Sequence, residues 1–127
     1  MLTAFRAEGE KELAREHHTP AQLVKLYRAL YSKHGYGFLP PLSVKEKGMM
    51  AHFCRRCEGH GARAMRWAMA DWERFRAQAS KDRGWKLQSI APTPRIAALL
   101  LFLDTAVNGA LGKPDTLPAS KFDQEII

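Results

Sequence analysis

Residues 19–35, TPAQLVKLYRALYSKHG, contain one helix together with both of its ends. Thr19 can cap the first turn, and Pro20 suits the first helical position, where a backbone N–H has no intrahelical partner. Apolar side chains then recur every three or four residues, which is the spacing of a single helix face. These side chains are Leu23, Leu26, Tyr27, Leu30 and Tyr31. Gly35 ends the predicted helix, and His34 is expected to cap it.

The segment that follows predicts a turn and a second strong helix. Pro40-Pro41 excludes helix and favours an extended turn. Ser43 and Glu46 then form a capping box, in which the serine oxygen accepts from the third helical amide and the glutamate returns to the cap amide. The helix should run to about residue 58, because Gly59-His60-Gly61 breaks it.

Three more helices are predicted, one before residue 19 and two after residue 61. Residues 3–17 place acidic residues early and basic residues late, an order that suits the helix dipole. Residues 62–80 form one helix with arginines mostly on the side opposite its apolar stripe. That stripe consists of Met65, Met69, Trp72 and Phe75.

The last helix is expected to start at Thr93-Pro94, with the same cap pattern as Thr19-Pro20, and to end at Asn108-Gly109. It contains the longest apolar run of the chain, Ile96 to Leu103, and should be the most buried helix. The LQSI segment at 87–90 is the one candidate for a strand.

These elements predict an all-α fold. We expect a single compact domain of about five helices over residues 1–111, of which residues 1–18 form a loosely docked helix. Residues 112–127 follow as a short tail. A length of 127 residues fits one domain, and 46% apolar with 26% charged residues is ordinary for a globular protein.

Composition argues against several protein classes. The apolar run of eight residues is far shorter than the roughly 18 that a membrane helix needs, so no membrane contact is expected. The first residues lack the apolar core of a signal peptide. Two cysteines cannot build a disulfide framework. We therefore expect a cytoplasmic protein in a reducing compartment.

Charge is the most informative part of the composition. The chain carries a net charge of +7 and has an isoelectric point of about 9.7. Residues 55–86 hold nine basic residues against four acidic ones. A basic cluster on a small domain indicates a polyanionic partner, most often nucleic acid, although a solvated basic face is the alternative. The predicted nucleic-acid-binding residues are Arg55, Arg56, Arg63, Arg66, Arg74, Arg76, Lys81, Arg83, Trp85 and Lys86.

The three tryptophans differ in their expected roles. Trp72 lies on the apolar stripe of residues 62–80 and is expected in the core. Trp67 and Trp85 stand among basic residues, where an aromatic ring can stack on nucleic-acid bases. Each of them could equally pack on the core, so both interpretations stay open.

The segment CRRCEGHG, residues 54–61, matches the CxxCxGxG unit of a DnaJ-type zinc knuckle. Cys54, Cys57 and His60 are therefore candidate metal ligands. Such a knuckle needs a second CxxC to close its site, and the chain has no third cysteine. Buried thiols on a helix are the favoured interpretation, because free cysteine behaves as a small apolar residue. We expect no metal, no other cofactor and no enzymatic activity.

Residues 20–110 resemble small helical domains of phage and prophage replication proteins. The resemblance lies in the turn at Tyr31–Gly37, in the helix start at Ser43–Gly48, and in the W…DW…F pattern of Trp67–Phe75. It implies an all-α fold and a setting in DNA replication. In those proteins the domain often accompanies a winged-helix DNA reader, for which this chain has no counterpart.

The sequence supports two hypotheses about function. The first is a non-enzymatic accessory protein of phage or mobile-element origin that contacts the phosphate backbone of nucleic acid, DNA in preference to RNA, during replication or a related nucleoprotein assembly. The second is a helical protein–protein adaptor or small subunit of a larger nucleoprotein or ribonucleoprotein complex, one version of which is a phage-encoded protein directed against a host machine. That second function would use the first helix or the tail KFDQEII, with Phe122, Ile126 and Ile127 as partner-binding residues.

Overall fold

The computed structural model describes residues 15–112. This part of the chain contains six α-helices and no strand, which confirms the all-α fold. The helices are α1 (Pro20–Lys33), α2 (Val44–Cys57), α3 (Gly61–Ala70), α4 (Trp72–Arg83), α5 (Ile96–Leu101) and α6 (Leu103–Ala110). Most of the helix predicted at 3–17, and the tail from residue 113, lie outside the described residues. Where that predicted helix enters the described part, at Arg15–His17, the chain is not helical.

The first two helices begin as the sequence predicts. The Thr19 side chain accepts from the Gln22 amide, and the Gln22 side chain in turn accepts from the Thr19 amide, so α1 has a full capping box. Ser43 and Glu46 make the same pair of bonds at α2. His34 is the C-cap of α1, as expected.

The prediction of one helix over residues 62–80 is wrong. Asp71 leaves the helical conformation, with φ −149° and ψ 84°, and separates α3 from α4. Its side chain accepts from the Arg74 amide and so acts as the N-cap of α4. The break follows from this competition, because an aspartate that bonds a nearby amide favours a helix start over a helix interior.

The last predicted helix also differs from its prediction. The helix begins at Ile96 rather than at Pro94. The carbonyl of buried Pro94 accepts a hydrogen bond from the Tyr27 hydroxyl at 3.1 Å, and this bond holds residues 93–95 against α1 in a non-helical conformation. The helix is interrupted at Phe102, which separates α5 from α6. The LQSI strand candidate is instead a 3₁₀ turn at Leu87–Ser89.

The core lies between α3 and α6, which pack most extensively, and between α2 and α5. Trp72 is buried as predicted, and its indole N–H donates to the Ala91 carbonyl at 2.8 Å. Leu99 is fully buried, whereas its neighbour Leu100 is only partly buried and Leu101 is 45% exposed. The apolar run 96–103 is therefore not buried throughout.

None of the helices described between residues 15 and 112 is both long and apolar enough to cross a membrane.

Candidate nucleic-acid interface

Arg76 is a predicted contact residue whose guanidinium is bonded within the fold at all three of its nitrogen atoms. Its Nε and Nη2 atoms donate to the carbonyls of Ile90 and Leu87, at 3.2 and 3.0 Å, and Nη1 pairs with Glu73 at 2.9 Å. Its side chain is only 11% exposed. These bonds tie the 3₁₀ turn to α4, so Arg76 is a structural residue and its expected place on the solvent side of the helix is wrong.

Three more of the predicted arginines make contacts within the fold. Arg63 pairs with Glu16 at 3.0 Å and is 19% exposed, which also places it off the open polar face. Arg74 donates to the Trp67 carbonyl at 2.7 Å, and its guanidinium carbon lies 4.3 Å from the centre of the Trp67 ring. Arg83 donates to the Leu101 carbonyl at 3.0 Å. Each of them joins two parts of the chain.

The remaining predicted cations are exposed and less engaged. Arg55 makes one long contact, 3.4 Å, with the His52 ring. The other four make no hydrogen bond or ion pair among the described residues, and we call them the open cations. They are Arg56, Arg66, Lys81 and Lys86.

Acidic residues of the described segment show the opposite behaviour. Asp71 and Glu46 cap helices, Glu73 binds Arg76, and Asp82 accepts from Gln78 and Thr105, both at 2.8 Å. Glu16 and Glu58 form ion pairs with arginines. Asp104 is the one acid within residues 15–112 that has no such bond. The fold therefore uses most of its negative charge internally and leaves positive charge towards solvent.

The structure brings some of the predicted residues together. Arg83 and Trp85 both lie against Phe102, with the guanidinium carbon 5.7 Å and the indole centre 5.3 Å from the Phe102 ring centre. Arg56 and Arg83 line one groove between α2 and α5. Arg66 and Lys86 make no hydrogen bond or ion pair with another member of the set, although Lys86 follows Trp85 in the chain. The ten residues thus occupy several settings rather than one array.

The structure distinguishes Trp67 from Trp85, whose roles the sequence left open. Trp67 packs on α6, where its ring lies against Gly109. Trp85 remains 39% exposed beside Arg83 and Lys86. Trp85 is the more exposed of the two rings, whereas Trp67 is partly buried and has the Arg74 guanidinium over its ring.

The metal candidates do not form a ligand cluster within residues 15–112, where no three His, Cys, Asp or Glu side chains are placed to hold an ion. Cys57 is buried in the core, and this burial raises its pKa to about 12, with the neighbouring Cys54 thiol adding to the rise. Cys54 is only half-buried, contrary to its expected place in the core, and its thiol lies 3.1 Å from the His18 carbonyl.

No protein family model matches the chain, and neither a curated protein nor a solved structure matches it. The resemblance to phage replication domains accordingly stays a prediction.

Sequence reasoning missed two concave features. One is the groove between α2 and α5, of about 770 Å³. The other is a cavity of about 510 Å³ between α4 and α6, lined by Trp67, Asp82 and Thr105. The sequence does contain a signal for the groove. Eight consecutive apolar residues at 96–103 would cover all sides of a helix, so some of them must lie outside the core and leave apolar surface exposed.

Proposed function

We propose that the protein is a non-enzymatic nucleic-acid-binding protein that contacts the phosphate backbone through the open cations Arg56, Arg66, Lys81 and Lys86. Arg55 and Arg83 are also exposed but each bonds within the fold, and Trp85, which is 39% exposed and precedes Lys86, supplies an aromatic surface. A role in replication or a related nucleoprotein assembly, and a phage origin, rest on the sequence resemblance alone.

One observation carries the proposal: the described segment holds far more cations than its fold uses. Residues 15–112 contain 16 Lys or Arg and seven Asp or Glu. Six of the acids have bonds within the fold, whereas nine of the cations have neither a hydrogen bond nor an ion pair there. Uncompensated positive charge at the surface raises the local concentration of a polyanion and accelerates its association.

The expected mode of binding is electrostatic and independent of sequence. The open cations do not lie along a single helix that could enter a groove and present side chains to base edges. Each phosphate that is neutralised releases condensed counterions, so affinity should fall as salt rises. Four contacts to duplex DNA correspond to a slope of log affinity against log salt of about −3.6.

The test compares two variants of equal charge. In one, the open cations Arg56, Arg66, Lys81 and Lys86 become alanine. In the other, four exposed lysines outside residues 55–86 become alanine; these are Lys25, Lys33, Lys45 and Lys47. Fluorescence anisotropy with labelled single- and double-stranded DNA and RNA, at two salt concentrations, gives affinity and salt slope for each protein.

We expect the open-cation variant to bind at least tenfold more weakly and to lose most of the salt slope, while the lysine variant retains both. Equal losses in the two variants would show that net charge, rather than the positions of the four open cations, determines binding. A wild-type slope shallower than about −2, or no binding at low salt, would contradict the proposal.

The adaptor function keeps independent support from the apolar groove between α2 and α5, since exposed apolar surface of this kind marks binding sites for protein segments. A protein that ignores all four nucleic acids in the same titration would favour it.

A further inference from the structure

The groove between α2 and α5 has an apolar floor that is open to solvent. Met49 on α2 and Leu100 on α5 are partly buried, and Leu101 is 45% exposed. The groove continues past Leu101 into a second depression, where Trp85 is also exposed. Large exposed apolar side chains in the described segment are few, and two of them, Leu101 and Trp85, meet here. We call this continuous surface the α2–α5 groove.

The rim of the α2–α5 groove is mainly cationic. Arg56 stands on the α2 side, Arg83 on the α4 side, and Arg95 beside the Trp85 depression. Asp104 is the one acidic residue among the side chains that line the two parts. An occupant should therefore combine apolar anchors with negative charge.

One segment of this chain has that composition. Residues 122–127, FDQEII, carry three apolar anchors, Phe122, Ile126 and Ile127, and two acids, Asp123 and Glu125. The anchors match the apolar floor, and the acids match the arginine rim.

The segment can reach the groove. The described part ends at Gly112, which lines the cavity between α4 and α6, and Arg83 lines both that cavity and the α2–α5 groove. Nine residues lie between Gly112 and Phe122, and the ten residue steps from one to the other span about 33–36 Å when the chain is fully extended. A compact domain of 100 residues has a radius of gyration of about 13 Å, so this reach is more than twice that radius.

We propose that residues 122–127 bind in cis to the α2–α5 groove, with Phe122 and the two isoleucines on Leu100 and Leu101, and with Asp123 and Glu125 facing the arginine rim. The tether keeps the segment at a high effective concentration beside the groove, which favours its own chain over a second copy. This inference does not depend on nucleic-acid binding.

Isotope-edited NMR of the full chain provides the test. The protein contains four isoleucines, of which Ile90 and Ile96 are buried in the core, so methyl labelling leaves Ile126 and Ile127 as two identifiable probes. We expect nuclear Overhauser cross-peaks between these probes and the Leu101 methyls. L101K should abolish the cross-peaks, whereas V44K, at a more exposed apolar site on α2 that does not line the groove, should retain them.

A second variant guards against misfolding of L101K. F122A alters no groove residue, and it should shift the Leu101 methyl signals and weaken the Ile126 and Ile127 cross-peaks. Tail methyls with no cross-peak to the groove in the wild-type chain would overturn the proposal. So would cross-peaks that arise only between differently labelled chains in a mixed sample, because they would identify a second copy as the occupant.

Discussion

The indole of Trp67 lies directly on the backbone of Gly109. A Cβ atom at position 109 would stand 2.5 Å from two carbons of the ring. Contact this close is possible only where one residue has no side chain, and it joins α3 to α6, the most extensive helix pair. The Arg74 guanidinium covers the ring at 4.3 Å, and Phe75 meets its edge, with ring centres 6.4 Å apart.

Gly109→Ala should therefore destabilise the protein, even though alanine is the better helix former. Overpacking a rigid ring typically costs about 1–3 kcal/mol, which exceeds the gain in helix propensity of about 1 kcal/mol. Gly48→Ala is the matched control, because Gly48 lies within α2 with open space around it. We expect it to stabilise by about 1 kcal/mol. Urea unfolding of both variants measures the difference, and equal effects would contradict the close packing.

Arginines within residues 55–86 should differ in their effect on stability. Arg76→Ala removes the donor to the Ile90 carbonyl and the Glu73 ion pair, and it leaves the Leu87 carbonyl with the Ile90 amide as its donor, so we expect a loss of about 1–3 kcal/mol. Arg66→Ala removes an exposed side chain without a bonded partner and should change stability by less than about 0.5 kcal/mol. Thermal unfolding of the two variants is sufficient. A stable R76A protein would show that the 3₁₀ turn is held by other contacts.

Leu99 and Leu100 are adjacent in sequence but differ in burial, and their alanine variants should differ accordingly. Leu99 is fully buried, so Leu99→Ala should cost about 2–5 kcal/mol through lost contacts and the cavity that remains. Leu100 borders the α2–α5 groove, so Leu100→Ala should lower the free energy of unfolding clearly less than Leu99→Ala does. The midpoint of urea unfolding separates the two, and similar midpoints would mean that α5 is rotated from its described orientation.

Much of the fold could be predicted from local signals. The capping residues Thr19 and Ser43 were sufficient to place the starts of α1 and α2, because a cap acts within one turn of its own helix. The break at Asp71 was missed although its signal is local, because the aspartate caps the Arg74 amide three residues later. No side-chain cap marks the break at Phe102. Pro94 was misplaced because its role comes from Tyr27, which is 67 residues away in the chain.

The candidate site was less predictable than the fold. Sequence locates the cations, but it cannot show which of them the fold itself binds. Arg76 and Arg66 are the same residue type in the same basic stretch. Only the structure distinguishes them, because Arg76 binds the Leu87 and Ile90 carbonyls and the Glu73 carboxylate whereas Arg66 does not. The α2–α5 groove was missed because it arises where two distant helices meet.

The buried thiol of Cys57 should make the stability of the protein depend on pH. Burial raises the pKa of Cys57 to about 12 from an ordinary value of 9.0, so the native protein keeps this proton while the unfolded chain releases it. The native state then binds more protons than the unfolded state between about pH 9 and 12, and the free energy of unfolding falls as pH rises through that window. The stabilisation is fully present below pH 9.

The magnitude follows from the linkage relation. One such proton lowers the free energy of unfolding by about 1 kcal/mol between pH 8 and pH 10. Cys57→Ala should remove this part of the pH dependence, whereas Cys54→Ala should retain it. Tyr27, whose pKa is also raised by burial, leaves a residual slope in all three proteins. Urea unfolding at pH 8, 9 and 10 gives the slopes, and iodoacetamide should modify half-buried Cys54 well before Cys57. Identical slopes for C57A and C54A, or faster labelling of Cys57, would show that the Cys57 thiol is not in the dry core.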